Sequence, residues 1–100
     1  MSAYVIASYD IADPEHYKDY PPAVGPIVAK HGAELLVASM DATPLEGNKR
    51  QVYVVLRFES EEAALKWYND PEYAPVRKIR LDSTANGTAV IAKGFVPPSA

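Results

Sequence analysis

The chain has no cysteine, no excess of positive charge and no long hydrophobic run. The absence of cysteine excludes disulfides, thiolate metal ligands and cysteine nucleophiles. A formal net charge of −3 gives no basic surface to neutralise nucleic-acid phosphates. No apolar stretch approaches the roughly 20 residues that cross a bilayer. We therefore expect a cytoplasmic protein that binds neither nucleic acid nor membranes.

Recognisable catalytic motifs are also missing. The sequence contains no phosphate-binding glycine loop, dinucleotide fingerprint or nucleophile elbow. Its two histidines, His16 and His31, are far apart in the sequence and have no cysteine nearby, so they do not indicate a metal-binding site. We expect neither a metal site nor a bound cofactor.

What the sequence does contain is the pattern of one small α+β domain. Cap signals and apolar spacing predict a first helix that starts at Asp13 and ends before Gly32, with a bend or restart at Tyr20 and its following prolines. Two further helical segments are expected over residues 61–69 and 71–81. Short β-branched and aromatic runs predict strands over residues 3–9, 34–39, 51–58 and 88–93.

The resulting order, β-α-β-β-α-β, predicts a ferredoxin-like fold. In this fold a four-stranded antiparallel sheet carries its helices on one face. We expect residues 1–96 to form the single domain and residues 97–100 to form a C-terminal tail.

Apolar residues occupy both faces of all four predicted strands. In the third strand Val54 and Leu56 face one way, while Tyr53 and Val55 face the other. Because the helices cover one face, a monomer leaves the second face in water, and exposed apolar patches of this kind usually mark interfaces. A homodimer that packs sheet against sheet is the expected solution. The alternative is that the C-terminal tail folds over that face. The tail is short and contains two prolines, so it can cover only part of the face.

Several segments resemble the dimeric α/β barrel superfamily and, within it, a bacterial family of domains of unknown function. The most specific segment runs from Trp67 through the Asn-Asp-Pro-Glu sequence to Tyr73, followed by Arg77 and Arg80. The resemblance implies the dimeric barrel fold but no particular reaction. Its relatives include cofactor-free monooxygenases, lactone isomerases, dehydratases and haem-degrading enzymes. The asparagine, tryptophan and histidine combination of the haem-degrading members cannot be placed here, which disfavours haem.

The aromatic residues are the main candidates for a ligand pocket. Seven tyrosines are many for 100 residues, and most flank the cleft expected between helices and sheet. Their rings with hydroxyl tips suit a small-molecule site, although they equally suit a filled core. The substrate-binding candidates of this kind are Tyr9, Tyr20, Trp67 and Tyr73.

Charged candidates are fewer. Arg77 and Arg80 lie three residues apart on one predicted helix and suit an organic anion, with Arg77 as the main contact. Surface ion pairs are the alternative. His16 and Tyr17 are the candidate acid–base residues, although a solvent-exposed histidine explains His16 equally well. His31 beside its glycine cap fits a structural role.

Two functions are compatible with these residues. The first is a homodimeric domain that binds, or converts without a cofactor, a small organic acid or aromatic metabolite by isomerase, lactone or monooxygenase chemistry. The second is a non-catalytic dimeric module whose aromatic residues only fill the core. An open pocket with tyrosine hydroxyls favours the first, and a filled cleft favours the second.

Overall fold

The computed structural model describes residues 1–98 and confirms the predicted ferredoxin-like order, with each helical crossover divided in two. None of the helices in this range is long and apolar enough to cross a bilayer. Pro97 and Pro98 of the predicted tail are in neither helix nor strand, and residues 99–100 lie outside the described part. The elements are β1 (Ala3–Ile11), α1 (Pro14–Tyr17), α2 (Tyr20–Lys30), β2 (Glu34–Ser39), β3 (Val52–Phe58), α3 (Glu61–Tyr68), α4 (Tyr73–Ser83) and β4 (Thr84–Lys93).

The four strands form one antiparallel sheet in the order β2-β3-β1-β4. The first crossover connects β1 to β2, and these two strands are not neighbours because β3 lies between them. The split βαβ arrangement requires this separation. Val5 of the central strand β1 lies opposite Leu56 of β3 and Ile91 of β4. These side chains point to the helix side, where they form the core with α2, α3 and α4.

The first crossover restarts at Tyr20, as predicted. Asp13 caps α1 by accepting a hydrogen bond from the backbone N–H of His16, and Pro14 occupies the first helical position. Pro21 and Pro22 lie in the first turn of α2, where a missing N–H removes no helical hydrogen bond. The prolines therefore set the start of α2 and do not break it.

The second crossover differs from the prediction at its C-terminal end. The last helix runs over Tyr73–Ser83, and β4 starts in the next residue. The Asn86-Gly87 pair is typical of a turn in sequence and predicts one here, but this prediction is wrong, because both residues lie in β4. Asn86 has a φ of 56° inside β4, beside a register shift between Ser8 and Asp10 of β1. An asparagine tolerates this left-handed conformation at a bulge as well as in a turn.

The face opposite the helices is apolar at its centre. Ile6 of β1 lies between Val55 of β3 and Val90 of β4, and 44% of its surface is exposed. Val37 of β2 also lies on this face, opposite Val55. A register shift after Leu35 places Leu35 and the residue three positions later on the helix side. The residues of β2 therefore do not alternate strictly between the two faces, as they would in a regular strand.

Candidate functional site

A cavity of about 540 Å³ separates the helices from the sheet. This volume lies in the range of pockets that hold small molecules. Its lining is mainly apolar: Val5, Ala7, Val52, Val54 and Leu56 contribute from the sheet, and Pro21, Val24, Gly25, Val28 and Ala29 from α2.

The cavity lies between α2 and the β2 side of the sheet. Helices α3 and α4 pack on β1, β3 and β4, and α2 packs mainly on α4. Leu35 of β2 faces the cavity and stays 60% exposed. Ala38, Ser39 and Met40 complete this side of the lining. The side formed by β2 is therefore the exposed entrance, and the side formed by α4 is the interior.

Two pairs of tyrosine hydroxyls lie at the interior end. The hydroxyl oxygens of Tyr9 and Tyr17 are 2.7 Å apart, and those of Tyr20 and Tyr73 are 2.8 Å apart. Burial raises the pKa of Tyr9 and of Tyr20 well above the ordinary tyrosine value, and the neighbouring tyrosines raise both further. These phenols are consequently neutral near physiological pH, where they act as hydrogen-bond donors and acceptors.

Arg80 brings a positive charge to the same end. Its residue is only 7% exposed, and its guanidinium carbon lies 5.9 Å from the ring centres of both Tyr9 and Tyr20. Burial acts to lower the pKa of Arg80, but the hydroxyls of Tyr73 and Tyr20 outweigh it and the net shift is upward. Arg80 therefore remains charged inside the protein.

Trp67 lies on α3 and forms part of the cavity wall beside the start of α4. It is 4% exposed, and its ring centre lies 4.5 Å from that of Tyr73 and 5.5 Å from that of Phe58. Its indole N–H is buried and, among residues 1–98, has no hydrogen-bond acceptor. Buried donors without partners are uncommon and call for an explanation.

The cavity brings together six of the eight residues that the sequence singled out. They are Tyr9, Tyr17, Tyr20, Trp67, Tyr73 and Arg80. Arg77 lies outside the lining: it donates to the Tyr68 carbonyl oxygen, and its guanidinium lies 4.7 Å from the Tyr68 ring centre. His16 also lies outside, on the short helix α1.

The wall formed by α2 was not predicted from the sequence. In sequence, Gly25 and Pro26 are typical of a turn or a kink, yet both lie within α2 and Gly25 lines the cavity. A residue with a Cβ is disfavoured in helical conformation before proline, and glycine avoids this clash. The missing side chain also leaves space, since a Cβ on Gly25 meets no heavy atom within 4 Å beyond its own helix backbone and chain neighbours. A glycine before an in-helix proline is the signal that could have indicated this wall.

A charged cluster holds α2 against the start of α4. Asp70 accepts hydrogen bonds from His31 Nε2 at 2.8 Å and from Lys30 Nζ at 3.0 Å. Its other oxygen accepts from the Glu72 backbone N–H. The hydrogen bond from His31 is the largest cause that lowers the pKa of Asp70 far below its usual range. His31 thus has the structural role expected for it, and the cluster fixes the two helices that enclose the cavity.

A family model described as "Domain of unknown function (DUF1330)" matches residues 2–95 of this chain. The chain belongs to this family. No curated protein sequence matches it. The family, like the fold, agrees with the resemblance found in the sequence.

Solved structures show the same fold at low sequence identity. A protein of unknown function from Rhodopseudomonas palustris superposes with a TM-score of 0.81 at 16% identity, over 96% of this chain and 84% of that one. A dimeric ferredoxin-like protein of unknown function from Thermobifida fusca gives 0.66 at 20% identity, over 93% and 91%. SnoaB, a cofactor-independent oxygenase from Streptomyces nogalater, gives 0.64 at 10% identity, over 99% and 95%. At these identities the likeness concerns the fold alone.

Proposed function

We propose that this protein is a homodimer that binds a small organic acid or aromatic metabolite in the cavity between its helices and its sheet. The cavity itself is the observation that carries this function. Apolar walls that enclose a few convergent polar groups are the usual composition of a small-molecule site. A domain that only needed a core gains nothing from leaving about 540 Å³ unfilled.

The residues at the interior end are suited to chemistry without a cofactor. Tyr17 is half-buried and its hydroxyl bonds to Tyr9, so the pair can pass a proton to or from a substrate oxygen. We propose Tyr17 as the acid–base residue. Isomerisation, lactone chemistry and cofactor-free oxygenation all belong to the reaction types that such a site can support, and the oxygenase SnoaB shares this fold.

Dimerisation is proposed to occur through the open face of the sheet. Ile6, Val37 and Val90 are 44%, 41% and 55% exposed there in the isolated chain. Apolar surface of this extent is stabilised by burial at roughly 25 cal/mol per Å². The description of the Thermobifida fusca protein as dimeric supports dimerisation.

A non-catalytic binding module is the second candidate. It is favoured by the hydroxyl pairs, because Tyr9 bonds to Tyr17 and Tyr20 bonds to Tyr73. Hydroxyls already paired within the protein hold the helices together without any substrate. Ligand binding with no turnover of any bound compound is the result that distinguishes this module from an enzyme.

A ligand screen with a blocked cavity tests the proposed function. Carboxylic and phenolic metabolites are screened by thermal shift against the wild type and against Ala38→Phe. Ala38 lies on the edge strand β2 and lines the cavity, so a phenyl group there fills the entrance at little cost to the fold. Ala38→Val is the matched control, because it adds two methyl groups and leaves most of the volume free.

Compounds that stabilise the wild type and the valine variant, but not the phenylalanine variant, support binding in the cavity. Compounds that stabilise all three proteins equally bind elsewhere and contradict the proposal. The same conclusion follows if no compound raises the Tm of the wild type.

A further inference from the structure

We infer that the ligand is an anion whose carboxylate is anchored by Arg80, with an apolar body directed toward β2. This inference rests on the proposed function and adds the charge of the ligand, its orientation and its anchoring group. Two observations carry it: the ion pairing of the arginines and the charge balance of the lining.

The arginine at the cavity differs from the arginines at the surface. Arg50 pairs with Asp10 and Arg57 pairs with Glu34, and all four side chains are substantially exposed. Arg80 is more buried than either arginine, yet no carboxylate within residues 1–98 forms an ion pair with it. A buried charge ordinarily has a counter-charge, because desolvation without one is costly. Because Arg80 also lines the cavity, its guanidinium is the group to which we assign an anion.

The ring of Trp67 lines the same cavity, and its centre lies 4.5 Å from that of Tyr73, whose hydroxyl bonds to Tyr20. The Arg80 guanidinium carbon lies 5.9 Å from the Tyr20 ring centre. The tryptophan is therefore a spectroscopic reporter of a ligand bound in the cavity near Arg80.

The lining has a positive charge and no negative one. Among the described residues that line the cavity, Arg80 is charged and none is an aspartate or glutamate. The other polar groups of the lining are mainly tyrosine hydroxyls, and most of the remaining lining residues are aliphatic or aromatic. A cation is repelled here, and a small hydrophilic anion leaves the apolar walls unused. An aromatic or aliphatic monocarboxylate satisfies both requirements.

Matched probes separate charge from shape. We propose to titrate 2-naphthoate and 2-naphthamide, which have the same ring system and differ in charge at one substituent. The chain has a single tryptophan, so the indole N–H of Trp67 gives one signal in a ¹H–¹⁵N spectrum. The naphthoate is expected to bind at least about tenfold more tightly than the amide, as a charge-assisted hydrogen bond provides. It is also expected to shift the indole N–H signal, because the Trp67 ring lines the cavity.

Arginine variants identify the anchoring charge. Arg80→Gln is expected to reduce the preference for naphthoate over naphthamide to less than about threefold, and Arg80→Lys, which keeps the charge, retains part of it. Arg77→Gln is the matched control. Arg77 lies one turn away on the same helix and bonds to the Tyr68 carbonyl outside the lining, so its removal leaves the preference unchanged.

The outcomes separate this inference from the proposed function. Equal affinity for both probes, or a preference that survives Arg80→Gln, overturns the anion site and leaves a neutral cavity intact. An unmoved indole signal on saturation with naphthoate contradicts binding in the cavity that Trp67 lines. Failure of both probes to bind the wild type, together with a negative metabolite screen, overturns the proposed function as well. If Arg80→Gln does not fold, the comparison of the two probes on the wild type and the indole signal still test whether the cavity binds an anion.

Discussion

The hydroxyl oxygens of Tyr20 and Tyr73 lie 2.8 Å apart in the interior, and their hydrogen bond joins the first residue of α2 to the first residue of α4. These two residues are 53 positions apart in the chain. The bond therefore links the two helical crossovers at the end of the cavity where Arg80 lies. It fixes the helix separation that keeps the cavity open.

Removal of the Tyr73 hydroxyl should lower the free energy of unfolding by more than the net contribution of one hydrogen bond. We expect Tyr73→Phe to lower the free energy of unfolding by about 1–3 kcal/mol, because it leaves the buried Tyr20 hydroxyl without this partner. The double variant Tyr20→Phe/Tyr73→Phe should lose less than the sum of the two single variants. Urea unfolding of all four proteins gives the coupling. Strict additivity would show that the hydroxyls do not interact in solution.

Buried phenols also predict a loss of stability at alkaline pH. The pKa values of Tyr9 and Tyr20 are raised in the folded protein, whereas unfolded tyrosines ionise near pH 10. The folded state therefore retains protons that the unfolded state releases. Stability is complete below about pH 10 and falls as the pH rises further.

Each such tyrosine adds a slope of up to about 1.4 kcal/mol per pH unit. Urea unfolding between pH 8 and 11 should show this slope for the wild type and a shallower one for Tyr9→Phe/Tyr20→Phe. Lysine titration is common to both proteins and cancels in the comparison. Parallel curves would mean that the phenols ionise normally in the folded protein.

The fold was predictable because its signals are local. Asp13 and Ser60 cap helices in the structure as their sequence contexts indicate, and the prolines after Tyr20 mark a true helix start. The alternating orientation of residues along each predicted strand also indicated that both faces of the sheet are apolar. The bulge in β2 could not, because an extra residue in one strand is defined by its pairing with the other.

The site was predictable in composition but not in geometry. The tyrosines and Trp67 were recognisable as a cluster because aromatic residues flank the expected cleft. The choice between Arg77 and Arg80 depends on the rotation of α4 about its axis, which turns Arg77 toward Tyr68 and Arg80 toward Tyr20. The cavity volume depends on the separation of helices and sheet, and no residue pattern encodes that distance.

Asp70 should make the protein sensitive to acid. Its pKa is lowered in the folded state, chiefly by the hydrogen bond from His31, so it stabilises the fold at pH values above the ordinary aspartate pKa of about 3.9. This contribution is lost as the pH falls below that value toward the lowered pKa. We expect Asp70→Asn to reduce the Tm by about 4–8 °C at pH 7 and to flatten the acid limb of the stability curve.

The control for that variant is Asp82→Asn. Asp82 pairs with Lys78 on the exposed surface of α4, and exposed pairs of this kind contribute little. Its replacement should leave the Tm at pH 7 almost unchanged. Equal effects of the two variants in thermal unfolding from pH 2 to pH 7 would contradict a special role for the cluster around Asp70.

The open face of the sheet gives the prediction with the largest expected effect. Ile6 lies at its centre, between Val55 and Val90, so an aspartate there places a charge in the middle of the proposed dimer interface. The isolated chain leaves Ile6 44% exposed, and the monomer fold should therefore tolerate Ile6→Asp. Each dimer loses two buried isoleucines at roughly 1.5–3 kcal/mol apiece. We expect the dimer dissociation constant to rise at least about 100-fold.

Leu65→Asp is the matched control, because Leu65 is 43% exposed but lies on helix α3. Sedimentation velocity at about 10 μM should show a dimer of the 10.9 kDa chain for the wild type and for this control, and a monomer for Ile6→Asp. A monomeric wild type would show that a sheet apolar on both faces can remain half uncovered in water. A dimeric Ile6→Asp variant would instead place the interface elsewhere, since an aspartate at the centre of an apolar interface cannot be buried without a counter-charge.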